Sequence, residues 1–267
     1  MKKVLIIGKR GFIGKNLYKF LKHKHKVKLM SFKNAINYKL INEYNFVINT
    51  SISKDYIAKK YNKNFDNDLQ LAKKLNNKKT VFIFLSSRKV YKAKPNIKET
   101  GKLSPKSNYS KNKLITEKLL NNRLQSNLTI LRISNIIGEK FKFSKNLHKT
   151  FIDIFYEKAK KSLIYNNKNN YKDFISIQKF CEIVNMIIHK NLTGTFNVSI
   201  GKKVYLNDLV RWLNYYNKRK IRIVNNIKVP NGNFYLNNKK LMSKIKISNT
   251  IVSLKRDCLN LSKKLFK

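Results

Sequence analysis

The chain has 267 residues, 42% of them hydrophobic, and its 60 Lys and Arg against 13 Asp and Glu give a formal net charge of +47. That apolar content supports a real core and excludes a disordered basic tail, while the length suits one large α/β domain or a nucleotide domain with a small second lobe. No apolar run is long enough to cross a bilayer, and the first one, Val4 to Ile7, is too short for a signal peptide, so a cytoplasmic protein is expected, with Cys181 and Cys258 as free thiols.

The first predicted strand, Lys3–Ile7, runs directly into Gly8, Gly11 and Gly14. Phe12 and Ile13 then open a helical pattern over Ile13–Lys22. A strand that ends in glycines at a helix N-terminus is a candidate phosphate site, because backbone N–H groups can approach a pyrophosphate and the helix dipole favours its charge. Further strands are predicted at Lys26–Ser31, Phe46–Thr50, Val81–Ser86, Leu128–Ile133 and Leu163–Tyr165, with helices at Asn67–Leu75 and Ser110–Leu124. This alternation predicts a Rossmann-type doubly wound parallel sheet with helices on both faces. After about residue 139 the alternation fades, as expected of a small C-terminal substrate lobe. The expected division is 1–138 with 171–200 for the dinucleotide-binding domain, and 139–170 with 201–267 for the lobe.

The strand VFIFLSS ends in Ser86-Ser87, and Tyr109-Ser-Lys-Asn-Lys113 follows at the start of the next helix. Tyr109 and Lys113 stand four residues apart, one turn from each other on one helix face. An ammonium near a tyrosine stabilises the phenolate and draws its pKa from about 10 toward working pH. Such a tyrosine can exchange a proton with a substrate oxygen while hydride moves at the adjacent carbon. A hydroxyl from Ser87, delivered at a strand end, can hold that oxygen.

Taken together and in order, these motifs resemble the extended short-chain dehydrogenase/reductase superfamily, and within it the NAD-dependent epimerase/dehydratase family of nucleotide-sugar enzymes. Leu131-Arg132-Ile-Ser-Asn135-Ile-Ile-Gly138, Lys172-Asp173-Phe174-Ile175 and Gly194-Thr-Phe-Asn197-Val198 resemble three further stretches of that family. The resemblance implies Ser87, Tyr109 and Lys113 as the catalytic set, with Ser87 and Asn135 touching substrate. It implies a cofactor site from Gly8, Arg10, Gly11, Phe12, Ile13, Gly14, Ser31, Lys33, Asn64 and Lys113, and a homodimer. Members that prefer NAD end the second strand with an Asp, whereas here the sequence reads Leu29-Met30-Ser31-Phe32-Lys33. Ser31, Lys33 and Arg10 suit a ribose 2′-phosphate, so NADP(H) is favoured and NAD(H) is the alternative. Arg88 and Lys89 stand where the family's 4,6-dehydratases carry an Asp-Glu pair, which argues against water elimination. Keto-sugar reduction, or epimerisation with tightly bound NAD, remains.

A reading from another class is a non-catalytic family member that binds RNA or another polyanion. Against it, the basic residues comprise 52 Lys and only eight Arg, spread along the whole chain beside abundant Asn and Ile. That pattern fits compositional drift better than a nucleic-acid surface. His23, His25, His148 and His189 show no ligand spacing with the cysteines, so no metal site is expected.

Overall fold

The apolar runs form strands Lys3–Ile7 (β1), Lys26–Met30 (β2), Phe46–Asn49 (β3), Val81–Ser87 (β4), Leu128–Ile133 (β5), Asn135–Ile137 (β6), Leu163–Asn166 (β7), Tyr171–Lys172 (β8), Phe174–Ser176 (β9), Gly194–Val198 (β10), Val204–Tyr205 (β11) and Arg222–Asn225 (β12). Helices are Phe12–Leu21 (α1), Phe32–Ile36 (α2), Lys54–Ala58 (α3), Asn67–Ala72 (α4), Asn108–Leu124 (α5), Ile177–His189 (α6), Leu206–Leu213 (α7), Lys239–Met242 (α8) and Ile251–Phe266 (α9). The structure is a computed structural model that describes residues 1–76, 79–139, 155, 163–219, 221–228 and 232–266. His148, and most of 139–162 in the segment expected to open the smaller lobe, lie outside the described residues.

Six strands form one sheet in the order β10-β5-β4-β3-β1-β2. β1 pairs in parallel with both β2 and β3, and the parallel pairing continues from β3 to β4 and from β4 to β5. Every residue of β3 and β5 is buried, because helices cover both faces of such a sheet and its strands read as unbroken apolar runs. Leu5, Ile7, Val47, Phe82, Phe84 and Leu128 share one core cluster with Ala35 of α2, Leu69 of α4 and Leu120 of α5. The doubly wound α/β architecture expected from the alternation is the one observed.

Local chemistry explains the small shifts in element ends. β2 stops at Met30 because Ser31 caps α2, accepting the Asn34 N–H at 3.3 Å. α5 begins at Asn108, two residues before the expected Ser110. There Ser107 accepts the Ser110 N–H while Ser110 accepts the Ser107 N–H, a reciprocal capping box.

The chain divides into two compact units. One comprises Met1–Lys92, Gly101–Ile133 and Cys181–Asn197, the other Ala93–Thr100, Ser134–Phe180 and Val198–Lys267. In the first, a polar network crosses the apolar core. The Arg132 guanidinium donates to both carboxylate oxygens of Glu117, with Nη2 to Oε2 at 2.6 Å. Ser86 donates to the same carboxylate, Arg132 Nη1 donates to the Tyr91 hydroxyl at 2.9 Å, and that hydroxyl donates to Asn197 at 2.8 Å. In the second unit the core gathers Ile137, Phe174, Leu209 and Leu213 with Leu254 and Leu261 of α9.

Asp173 is fully buried in this second unit, and its Oδ2 accepts the Leu236 N–H at 2.9 Å. Burial pushes its carboxyl up to about 7, against backbone hydrogen bonds that pull it down. Cys181 and Cys258 are free and buried, and burial raises both thiols, Cys181 to about 12. Among the described residues no helix is long and apolar enough to cross a membrane.

Glu117→Ala leaves Arg132 as an uncompensated buried charge, and a loss of about 3–5 kcal/mol in denaturant unfolding is expected. For Asp173 the folded carboxyl lies above its ordinary value of 3.8, so its contribution is fully present below 3.8 and lost as pH rises through about 7. Asp173→Asn is therefore expected to gain on the natural chain, by on the order of a few kcal/mol, as pH rises from 4 to 8. Paired thermal melts across that range check the sign.

Candidate active site

The sheet order places β1 between β2 and β3, so the chain leaves β1 for one neighbour and returns on the other side. In open α/β sheets ligands bind at such a switch point, outside the carboxyl ends of the strands. The glycine turn lies there. The Gly8 N–H donates to the Met30 carbonyl at 2.8 Å, and the Gly11 N–H donates to the Gly8 carbonyl at 3.0 Å. Gly8 has φ +115°, and a Cβ there would fall 2.3 Å from Thr50 Oγ1. A Cβ on Gly14 would fall 2.5 Å from the Gly8 carbonyl oxygen, so α1 can start this close to β1 only with glycine at that position. Thr50 closes the other side, donating its hydroxyl to the Ile7 carbonyl at 2.7 Å.

Side-chain oxygens of Ser31, Ser53, Asp66 and Ser107 cap α2 to α5. α1 starts on Gly11 with no side-chain cap and no acid in its first turn. The N–H groups of Phe12, Ile13 and Gly14 belong to that first turn, which lacks intrahelical acceptors. Arg10 and Lys33 are exposed, and the Ser31 hydroxyl is engaged in its cap. Asn64 is exposed in a 3₁₀ turn over Lys63–Phe65, where its carbonyl accepts the Gln70 side-chain amide at 2.8 Å.

Ser87 is buried at the end of β4, and its hydroxyl accepts the Lys89 N–H at 3.2 Å. Arg88 and Lys89 follow it. Burial lowers both cations, Arg88 to about 10, and the Arg88 charge adds to the effect on Lys89. Tyr109, in the first turn of α5, is half-buried, with Lys89 Nζ 5.7 Å from its ring centre. Lys113, one turn on, is buried. Its Nζ lies 4.4 Å from the ring centre of Phe84 on β4, 5.5 Å from that of Tyr56 on α3, and 3.5 Å from Asp68 Oδ2. Asn135 belongs to the other unit, where its amide donates to the Asp173 carbonyl at 3.0 Å.

The sequence reading missed an acidic layer under α5. Asp68 Oδ1 accepts the Asn49 amide at 2.8 Å, and burial pushes its carboxyl up to about 6 although the Lys113 charge pulls it down. Asp66 caps α4 through the Leu69 N–H and accepts the Thr116 hydroxyl of α5 at 2.6 Å and the Tyr61 hydroxyl at 3.0 Å. The available signal was scarcity: in a chain with 13 acids, two of them two residues apart at the start of a helix carry weight. Among the described residues no group of three His, Cys, Asp or Glu is placed to hold a metal ion.

A Rossmann-type sheet with a glycine turn at its switch point defines the class of protein. A model of the NAD dependent epimerase/dehydratase family matches residues 43–199, more than half of the chain, and the protein belongs to that family. Among solved structures it is similar to a UDP-N-acetylglucosamine 4-epimerase from Methanobrevibacter ruminantium M1, in complex with UDP-N-acetylmuramic acid, at TM-score 0.79 and 19% identity over 99% of this chain and 98% of that one. A UDP-glucose-4-epimerase from Stenotrophomonas maltophila, with bound NAD and formylated UDP-arabinopyranose, aligns at TM-score 0.77 and 14% identity over 99% of both chains. A dTDP-4-dehydrorhamnose reductase from Bacillus anthracis in complex with NADP aligns at 0.75 and 14% over 98% of this chain and 99% of that one. At these identities the likeness is one of fold. Compared by sequence, the curated proteins contain no match.

The uncapped first turn of α1, with no acid near it, fits the pyrophosphate of the dinucleotide that the family name implies. Gly14→Ala is expected to force α1 away from β1, at a cost of about 1–3 kcal/mol, the usual range for overpacking. Denaturant unfolding measures the loss, and dinucleotide titration of the folded variant shows whether the turn has opened.

Proposed function

We propose that this protein is a nicotinamide-dependent oxidoreductase acting on a nucleotide-diphosphate sugar, and that it reduces a keto-sugar by hydride transfer. The observation that carries the reading is α5, where Tyr109 stands half-exposed one turn before a Lys113 that is drawn into the interior against Phe84 of β4. A bound nicotinamide supplies the hydride at the substrate carbon. Tyr109 gives a proton to the oxygen on that carbon, and the Ser87 hydroxyl donates a hydrogen bond that holds the oxygen. Lys113 holds the nicotinamide ribose.

The backbone from Gly8 to Gly14 holds the pyrophosphate in this reading. β2 ends without an acid, and Arg10, Ser31 and Lys33 read a ribose 2′-phosphate, which favours NADP(H) over NAD(H). Asn64 lies beside the cofactor and Asn135 touches the sugar nucleotide. The net charge of +47 steers such an anionic substrate toward the protein. The working form is a homodimer in the cytoplasm.

Tyr109→Phe is expected to lower turnover by about 10²–10⁴-fold. The assay is NADPH consumption on a panel of nucleotide-diphosphate keto-sugars. Full activity in the variant overturns the assignment of Tyr109. Tightly held NAD, with no net consumption during sugar interconversion, replaces reduction with epimerisation.

A further inference from the structure

Lys113 is an unusual place for a charge. Its side chain and that of Asp68 are each only 6% exposed, and Nζ faces two aromatic rings. An ammonium buried among aromatic rings needs a counter-ion to compensate for lost hydration.

Two buried carboxylates stand near, and their hydrogen bonds separate their roles. Asp66 is occupied by the Leu69 N–H on Oδ1 and by Thr116 and Tyr61 on Oδ2. Asp68 has Oδ1 fixed by Asn49 and turns Oδ2 to Lys113 at 3.5 Å. The groups facing this pair are thus Asp66 at the N-cap of α4, Tyr56 on α3, Asn49 on β3 and Phe84 on β4. An ammonium has three donors, so one directed at Asp68 leaves others for a ligand.

Resting on the role proposed above for Lys113, we infer that Asp68 is its positioning residue: the buried carboxylate holds the ammonium aimed into the cofactor site. Asp68 is the hinge of a chain of contacts from Asn49 at the end of β3, through α4, to Lys113 on α5. The carboxyl of Asp68, raised to about 6 by burial, sets the acid end of the range over which this hold lasts.

The test is fluorescence titration of the full chain with NADPH and NADH from pH 5 to 9, using the natural protein, Asp68→Asn and Asp68→Glu. The natural protein should bind with steady affinity from pH 7 to 9 and lose affinity below about pH 6. Asp68→Asn, neutral at every pH, should bind throughout with the weakened affinity that the natural protein shows below about pH 6, and should lose the pH dependence between 5 and 7. Asp68→Glu, which keeps the charge, should move the profile back toward that of the natural protein. An Asp68→Asn profile that coincides with the natural one overturns the inference and leaves the role of Lys113 standing. If Asp68→Asn does not fold, affinity of the natural protein that stays flat from pH 5 to 7 overturns it equally. Absence of binding by the natural protein at every pH overturns the cofactor reading itself, and this inference with it.

Discussion

The paired charges of Arg132 and Glu117 hold the first unit in register. The pair joins β5 to α5, Ser86 brings in the end of β4, and Tyr91 with Asn197 brings in β10. Burying two ions costs several kcal/mol each, and the cost is recovered only when geometry is good and the remaining polar atoms are satisfied. A slide of α5 by one residue would break the bonds of Glu117 to Arg132 and to Ser86 together. Ser87 is the neighbour of Ser86, while Lys113 and Tyr109 lie one and two turns before Glu117. The network therefore sets where the candidate catalytic residues stand, although none of its members reaches into the proposed chemistry.

Carboxylates are scarce in this chain, and Asp66, Asp68, Glu117 and Asp173 are all buried. Each fixes something that apolar packing alone leaves loose. Asp66 ties α4 to α5 through Thr116, Glu117 locks α5 to β5, and Asp173 receives the Leu236 N–H in the second unit. The surplus of lysine is of a different character. Exposed cations repel one another through water and salt, which screen them over about 10 Å. The few acids thus serve placement inside the fold.

The glycine turn obeys a steric constraint of the same local kind. Thr50 at the end of β3 packs so tightly against Gly8 and Gly14 that no side chain fits at either. That contact joins the ends of β1 and β3 at the switch point and fixes where α1 begins. The glycine-turn end and the candidate catalytic end of the first unit are thus set by two separate devices, one steric and one electrostatic.

The sequence by itself determined the place and type of the elements it marked, and left helices such as Ile177–His189 and Ile251–Phe266 unassigned. Four-residue to seven-residue apolar runs, glycines at 8, 11 and 14, and serines at helix starts act over a few residues, so β1 to β5, α1 and α5 were legible within a residue or two. The spacing of Tyr109 and Lys113 was legible for the same reason, since four residues make one helical turn. Tertiary structure alone decided the strand order, the pairing of Arg132 with Glu117, and the meeting of Lys113 with Asp68. The last two residues are 45 apart in sequence, and no periodicity links them. Local pattern follows from backbone geometry, whereas the partner of a buried charge follows from which surfaces the packed sheet and helices bring within a few ångströms.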